Sequence, residues 1–316
     1  MQDWADPKWL AGATAWIDEQ VERTDEIEQP HIRPWATALR VPTTEGTLWF
    51  KANVPALAHE LPVIEVLGAR FPAAVPDVVA LDEAHNWLLM RDGGEQLRAV
   101  IERERKLEHW LDVLPLYAEL QIAAVADVQQ LIARGAPDRG LATLATQHQE
   151  LLERVDGLTD SERTSFLALV PHAAALCDEL ASVGIAETIQ HDDLHDNNVL
   201  TRDGKYVVFD WGDSCVTHPF LSMSVTLEGV IAWGIDDVEN SADVRPFRDA
   251  YLEPFTAFAP KRELDAALDA AMRLGWVCRA LTVEMYGSTL AGPAREKELA
   301  GMKLRLQLWA NKVALT

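Results

Sequence analysis

The stretch Gln190-His191-Asp192-Asp193-Leu194-His195-Asp196-Asn197-Asn198, followed by Val208-Phe209-Asp210-Trp211-Gly212, gathers imidazole, carboxylate and carboxamide groups at a density that phosphoryl transfer or hydrolysis would use. Side chains of these types can take a proton from a hydroxyl or hold a hard cation. Between the two stretches, Val199-Leu200-Thr201 and Tyr206-Val207-Val208-Phe209 are rich in β-formers, and Asp203-Gly204 suits a two-residue turn with positive φ. Such a hairpin sets Arg202 against Lys205, Leu200 against Val207 and Asn198 against Phe209. Asn198 and Asp210 then leave the same open end, where residues on adjacent rungs lie about 5 to 8 Å apart. One cation can bridge an Asn carbonyl and an Asp carboxylate at that separation.

Two other readings of the loop stand beside this one. An Asp-rich stretch before a hairpin is commonly a solvated turn. His191, Asp193 and His195 could instead bind zinc or manganese in a hydrolase. The His-Glu-x-x-His spacing of a helical zinc site is absent, however, and no second His or Cys cluster completes a ligand set.

A second group of candidates lies far upstream. Trp35 to Val41 and Thr47 to Ala52 are strand-like runs joined by Pro42-Thr43-Thr44-Glu45-Gly46. Alternation puts Thr47, Trp49 and Lys51 on one face and Leu48, Phe50 and Ala52 on the other, so Lys51 can reach into a cleft while the apolar face packs. A Lys that merely protects a sheet edge would read the same way. Leu57, Leu61, Ile64 and Leu67 recur at helical spacing over 56–69, with Glu60 near the start. Pro62 is tolerable only if the regular helix begins near Glu60. Trp87-Leu88-Leu89-Met90-Arg91-Asp92-Gly93-Gly94 reads as a buried strand ending in a turn.

The pattern His-x-Asp-x-x-x-x-Asn, formed by His191, Asp193 and Asn198 and followed by a strand ending in Asp210, resembles the catalytic segment of the aminoglycoside phosphotransferase and choline kinase-like family. The resemblance implies an α+β, bilobal protein-kinase-like fold. Its small N-terminal lobe with an antiparallel sheet would be residues 1–92, and its large, mainly helical C-terminal lobe, with catalytic loop and acceptor pocket, residues 93–316. It implies that Asp193 is the catalytic base or hydroxyl-orienting carboxylate, that Asn198 and Asp210 hold Mg²⁺, and that His191 braces the loop. Lys51 would grip the α- and β-phosphates of ATP and Glu60 would hold Lys51, with Glu65 as the competing partner. Backbone groups near Met90, Arg91 and Asp92 would meet the adenine edge. Thr37, in a turn near Arg33-Pro34-Trp35-Ala36-Thr37, could give a hydroxyl to a phosphate, although Trp35 and Thr37 are equally readable as ordinary strand residues.

The activity so implied is ATP- and Mg²⁺-dependent transfer of the γ-phosphate to a hydroxyl of an amino sugar, aminoglycoside, amino alcohol or similar metabolite. A nucleotide-binding pseudokinase is the alternative, and the joint presence of Lys51, Asp193, Asn198 and Asp210 argues against it. In the family, late helices line the acceptor pocket, which makes Glu228, Trp233, Asp236, Asp237 and Glu284 candidates there. Two departures concern substrate: Asp192 stands where the family often has Gly, and Thr217-His218-Pro219 stands where a small residue, Asp and Pro are common.

Composition bounds the rest. A chain of 316 residues, 48% hydrophobic, can bury a large core in two lobes. No uninterrupted apolar run approaches the roughly 20 residues of a bilayer-crossing helix, and the start is acidic where a signal peptide would be basic. With three widely spaced cysteines, Cys177, Cys215 and Cys278, the expectation is a cytoplasmic protein. A net charge of -22 argues against nucleic acid or an anionic membrane as partner. Asp192, Asp193, Asp196, Asp210 and Asp213 lie within 22 residues, which favours an amine-bearing small-molecule acceptor. Hydrophobic spacing predicts an amphipathic helix over 7–23 packed on the small lobe. Further helices are predicted over 97–110, 111–133, 141–155, 161–182, 220–233, 244–258, 262–286 and 294–315.

Overall fold

The computed structural model describes residues 2–314. Five strands, β1 (Glu28–Ile32), β2 (Ala36–Thr43), β3 (Gly46–Asn53), β4 (Val78–Asp82) and β5 (Trp87–Arg91), form an antiparallel sheet in the order β1-β2-β3-β5-β4. Alternation along β3 gives this sheet two unlike faces. Leu48, Phe50 and Ala52 are buried on the outer face, covered by α1 (Pro7–Gln20). There Trp9 and Trp16 meet Phe50 and Trp87 edge-on, with ring centroids between 5.7 and 6.5 Å apart. Asp6 caps α1 by accepting from the Lys8 amide, and Pro7 supplies a first helical residue that needs no donor. On the opposite face Lys51 reaches α2 (Glu60–Arg70). That helix starts at Glu60, so Pro62 falls in its first turn, where a missing N–H is harmless.

Beyond β5 and the short β6 (Glu95–Gln96) the chain is mostly helical: α3 (Leu97–Glu104), α4 (Trp110–Ala124), α5 (Val128–Ala133), α6 (Leu141–Arg154), α7 (Asp160–Leu167) and α8 (Val170–Val183). The short strands β7 (Thr188–Gln190), β8 (Val199–Arg202), β9 (Lys205–Val208) and β10 (Cys215–Thr217) carry the acidic loops. They are followed by α9 (Arg245–Leu252), α10 (Lys261–Gly287) and α11 (Gly292–Ala314). β8 and β9 pair in the predicted register, and Asp203 and Gly204 take φ of 54° and 72°, as a tight hairpin turn requires.

Several helical expectations are corrected. Helix α3 stops at Glu104 because Arg105 turns left-handed, the 111–133 stretch breaks after Ala124, and the 161–182 stretch divides before Pro171 restarts it as α8. The segment 220–233 is not an α-helix. It is a wide, π-type turn (Ser224–Val230) between two 3-10 turns, and the Thr226 hydroxyl donates to the Leu194 carbonyl at 2.8 Å. Gly275 of α10 lets it approach, since a Cβ there would collide with the Leu221 carbonyl and the Ser224 side chain. The last predicted helix is present as α11, and its residue 315 lies outside the described residues. By length and mean hydropathy the span Asp160–Val183 matches a membrane-crossing helix, which the sequence reading did not anticipate. In the fold it is two helices, of which α8 packs on α6 and α10.

His148 of α6 has no exposed surface, lies edge-on to Trp309 of α11 at 6.2 Å, and hydrogen-bonds through neither ring nitrogen. Burial alone holds its pKa down to about 4 from the ordinary 6.5. The unfolded chain therefore takes up this proton below about pH 6.5 while the folded chain waits until about pH 4, and roughly 3 kcal/mol of stability is lost across that window. Urea denaturation at pH 7 and pH 4.5 should show a smaller acid loss in His148→Leu than in the wild type; equal losses would contradict this origin of acid sensitivity.

Candidate active site

The cleft-facing residue of β3 makes the central contact. Lys51 Nζ lies 2.7 Å from Glu60 Oε1 on α2 and 2.5 Å from Asp210 Oδ1, just past β9. Asn53 donates its carboxamide to Glu60 Oε2, so both oxygens of Glu60 accept hydrogen bonds and the group is a carboxylate. Burial alone would lower the Lys51 pKa, but Asp210 and Glu60 outweigh it and hold the ammonium charged. Glu65, the competing candidate, points instead to Arg134 at 2.5 Å on the surface.

The acidic loop is built around His191. The His191 amide donates to the Tyr117 hydroxyl at 2.8 Å, its Nδ1 accepts from the Asp193 amide at 3.3 Å, and Nε2 faces the Phe209 carbonyl at 2.8 Å. Nε2 must therefore carry the proton, and burial keeps the ring neutral by lowering its pKa. Asp192 has φ of 63°, the left-handed conformation that Gly adopts freely and Asp tolerates. Its carboxylate accepts from Gln190 at 3.0 Å and from the Thr282 hydroxyl, which anchors the strained residue. Asp210 is also left-handed, at φ 64°. The Asn198 carboxamide donates to the Asp193 carbonyl at 3.0 Å, and the Phe209 amide donates to the Asn198 carbonyl at 3.1 Å, so Asn198 sits beside Asp210 at the hairpin's open end.

Arg279, on α10, organises the carboxylates and is 4% exposed. Its guanidinium lies 2.8 Å from Asp193 Oδ1, 2.6 Å from Asp213 Oδ2 and 3.9 Å from Asp192 Oδ2. Burial pushes the Asp193 carboxyl up, but Arg279 and then His195, whose Nε2 is 3.7 Å from Oδ2, hold it well below the carboxylate range. Asp213 goes the other way: burial carries it up to about 6 against the pull of Arg279. Asp196 faces Arg98 at 3.5 Å. Each of the five clustered acids thus already meets a donor or cation from the chain, and the acidity that favoured an amine-bearing acceptor is compensated internally.

Other sequence candidates divide clearly. Thr37 does not reach the cleft, because it pairs with Ala52, on the face opposite Lys51. It is 2% exposed, and its hydroxyl donates to the His31 carbonyl and accepts from Gln29. Trp35, by contrast, spans the cleft and packs on Tyr286 of α10, centroids 5.3 Å apart. Met90 pairs with Trp49 on the Lys51 face, whereas the Arg91 side chain points to Asp77 and Glu45 and its amide donates to the Asp77 carbonyl. Asp92 accepts from the Gly94 amide at 3.1 Å and Arg202 at 2.7 Å, which ties the end of β5 to the hairpin. Gly94, at φ 111°, leaves no room for a Cβ against the Thr201 carbonyl. Among the pocket candidates, Glu228 pairs with Lys312, Asp236 with Arg105, Asp237 with Arg98 and Glu284 with Arg154, while Trp233 is 39% exposed.

The model of the phosphotransferase enzyme family matches residues 23–264, well over half of the 316. The chain belongs to that phosphotransferase family. No curated protein sequence matches it. Among solved structures, an ethanolamine kinase from Plasmodium vivax is similar with a TM-score of 0.64 at 10% identity, covering 90% of this chain and 82% of the kinase. A macrolide 2'-phosphotransferase type I gives 0.62 at 13% identity, covering 96% and 99% of the two chains. The ternary complex of APH(2")-IIa with streptomycin and ATP gives 0.60 at 14% identity, covering 98% and 99%. The fold is the bilobal protein-kinase-like one, and the reaction class is phosphoryl transfer to an alcohol group.

In this phosphotransferase the donor set fits Mg²⁺. Lys51 takes only Oδ1 of Asp210, whose side chain is 47% exposed, and Asn198 uses only its amide nitrogen. One carboxylate and one carboxamide oxygen thus remain that would suit a hard cation such as Mg²⁺. A His–Asp hydrolase centre fits poorly, because both His191 nitrogens are engaged by backbone and no group of three or more metal-ligating side chains is assembled among the described residues. Arg279 escaped the sequence reading, although a lone cation inside Gly275-Trp276-Val277-Cys278-Arg279-Ala280-Leu281 was a usable signal. Removing it strands buried Asp192 and half-buried Asp193 and Asp213 together. Arg279→Met should cost about 3 to 5 kcal/mol in urea denaturation, and adding Asp213→Asn should recover part of that. A loss below about 1 kcal/mol would show that the acids do not depend on it.

Proposed function

We propose that this phosphotransferase is an ATP–Mg²⁺-dependent small-molecule kinase that moves the γ-phosphate onto a metabolite hydroxyl. The observation that carries this reading is the Lys51 ammonium held between Glu60 and Asp210 beside a loop that fixes Asp193 and Asn198. Bound Mg²⁺ would supply charge neutralisation at the phosphates, with Asn198 and Asp210 as its protein ligands. Lys51 is placed to bind the α- and β-phosphates. The Arg91 amide is already taken by Asp77, which leaves the adenine edge to backbone groups on either side of it.

Asp193 faces the acceptor hydroxyl in this scheme. Its depressed pKa makes it a weak base but a permanent hydrogen-bond acceptor, which suits orientation of the hydroxyl while a loose transition state forms. Arg279 and His195 restrict its rotation, so little ordering is left for the moment of reaction. A module that only bound nucleotide would have no use for an acid held in this way, and this disfavours the pseudokinase alternative.

ADP release measured with ATP, Mg²⁺ and a panel of hydroxylated metabolites tests the assignment. Asp193→Ala should lower kcat by about 10²-fold or more with a wild-type KM for ATP, and Lys51→Ala should impair both constants. Turnover unaffected by Asp193→Ala would remove that residue from the chemistry.

A further inference from the structure

We propose that Arg305 forms an anion-binding corner of the acceptor pocket, so that the acceptor is a hydroxylated metabolite bearing an oxyanion, either carboxylate or phosphate. The proposal rests on the kinase reading above and narrows its substrate class. Arg305 lies on α11 and is half-buried. Among the described residues its side chain's only hydrogen bond runs from Nη1 back to the Gly301 carbonyl at 2.8 Å, its Nε is buried with no partner, and no acid lies within ion-pair distance. The other buried cations of the site are all compensated: Lys51 by Glu60 and Asp210, Arg279 by Asp193 and Asp213, and Arg139 by Asp192 at 3.9 Å.

Position links Arg305 to the chemistry. Arg279 and Tyr286 are seven residues apart on α10 and share a face. The Tyr286 hydroxyl donates to Glu298 of α11 at 3.1 Å, and Trp35 packs on its ring. α10 and α11 run back to back with Tyr286 and Gly287 against Glu298, so two turns further along the pair Arg305 comes opposite Arg279, which itself holds Asp193. Gly301, one turn earlier, gives the side chain room: a Cβ there would come within 3.2 Å of Nη1.

A guanidinium stripped of part of its water and repelled by Arg279 is unfavourable unless an anion completes it. Asp192 and Asp193 stay beyond ion-pair distance of it, held instead by Thr282 and Arg279. The planar fork of Arg matches carboxylate and phosphate geometry, and an oxyanion there would hold the acceptor by a second point while its hydroxyl faces Asp193.

Two measurements test this. In the first, ADP release is compared for acceptors that share a primary or secondary hydroxyl: glycerate and 3-hydroxybutyrate, glycerol 3-phosphate, and ethanolamine and choline. The proposal expects kcat/KM for a carboxylate or phosphate acceptor to exceed the amines by about ten-fold or more. Arg305→Gln should raise that acceptor's KM by about ten-fold with KM for ATP unchanged, and Arg305→Lys should recover part of the loss. Preference for the amines, or an acceptor KM indifferent to Arg305→Gln, overturns it.

The second measurement needs no turnover. With saturating ADP and Mg²⁺ filling the nucleotide site, malonate and inorganic phosphate should raise the melting temperature of the wild type and not of Arg305→Gln. Equal shifts in both proteins, or none in either, would overturn the anion corner. Failure to bind ATP at all would instead bring down the kinase reading, and the melting shifts would still decide the anion site.

Discussion

The Lys51 ammonium, within 2.7 Å of Glu60 and 2.5 Å of Asp210, is the contact through which the sheet, helix α2 and the acidic loops depend on one another. It cannot be left half-made. Glu60 is 1% exposed, and a carboxylate there without its cation would be far more costly than the intact pair. The interaction therefore fixes where α2 begins, which face of β3 meets the cleft, and how Asp210 leaves β9. It also holds Asp210 with one carboxylate oxygen engaged and the other open.

A second constraint follows from burying so many acids in one place. Asp192, Asp193 and Asp213 approach each other only because Arg279 enters from α10. The left-handed backbone at Asp192 and Asp210 turns the loops sharply enough to bring their side chains together, and hydrogen bonds to Gln190 and Thr282 at the first and to Lys51 at the second offset the strain. The same arrangement separates chemical roles by environment. Asp193 is kept ionised, Asp213 is raised toward neutrality, and His191 is kept neutral as a brace.

What the sequence made legible was local. The β8–β9 hairpin followed from Asp203-Gly204 and the β-formers beside it, and the start of α2 followed from Pro62. Lys51 was readable because strand alternation left it as the charged residue on that face, whereas the choice of Glu60 over Glu65 came from the family resemblance and not from spacing. Thr37 was misplaced for the same kind of reason: its register opposite Ala52 puts it on the outer face, and the register was not fixed by the turn residues alone. Arg279 and Arg305 were invisible to spacing arguments, since the acids around Arg279 lie 66 to 87 residues away and Arg305 has no acid partner among the described residues. The wide turn at 224–230 was read as a helix because its apolar spacing is helical, whereas the Thr226 contact to the acidic loop at Leu194 and the close approach to Gly275 decided its form.

The central claim is that Lys51, Asn198 and Asp210 form a single site for nucleotide phosphates and a divalent cation. Calorimetric titration of ATP with and without Mg²⁺, into wild type and Asp210→Asn, tests it most directly. The account predicts that Mg²⁺ tightens ATP binding to the wild type by about ten-fold or more and that this dependence disappears in Asp210→Asn. Binding to the wild type that ignores Mg²⁺, or a Mg²⁺ dependence that survives the loss of Asp210's charge, would contradict it.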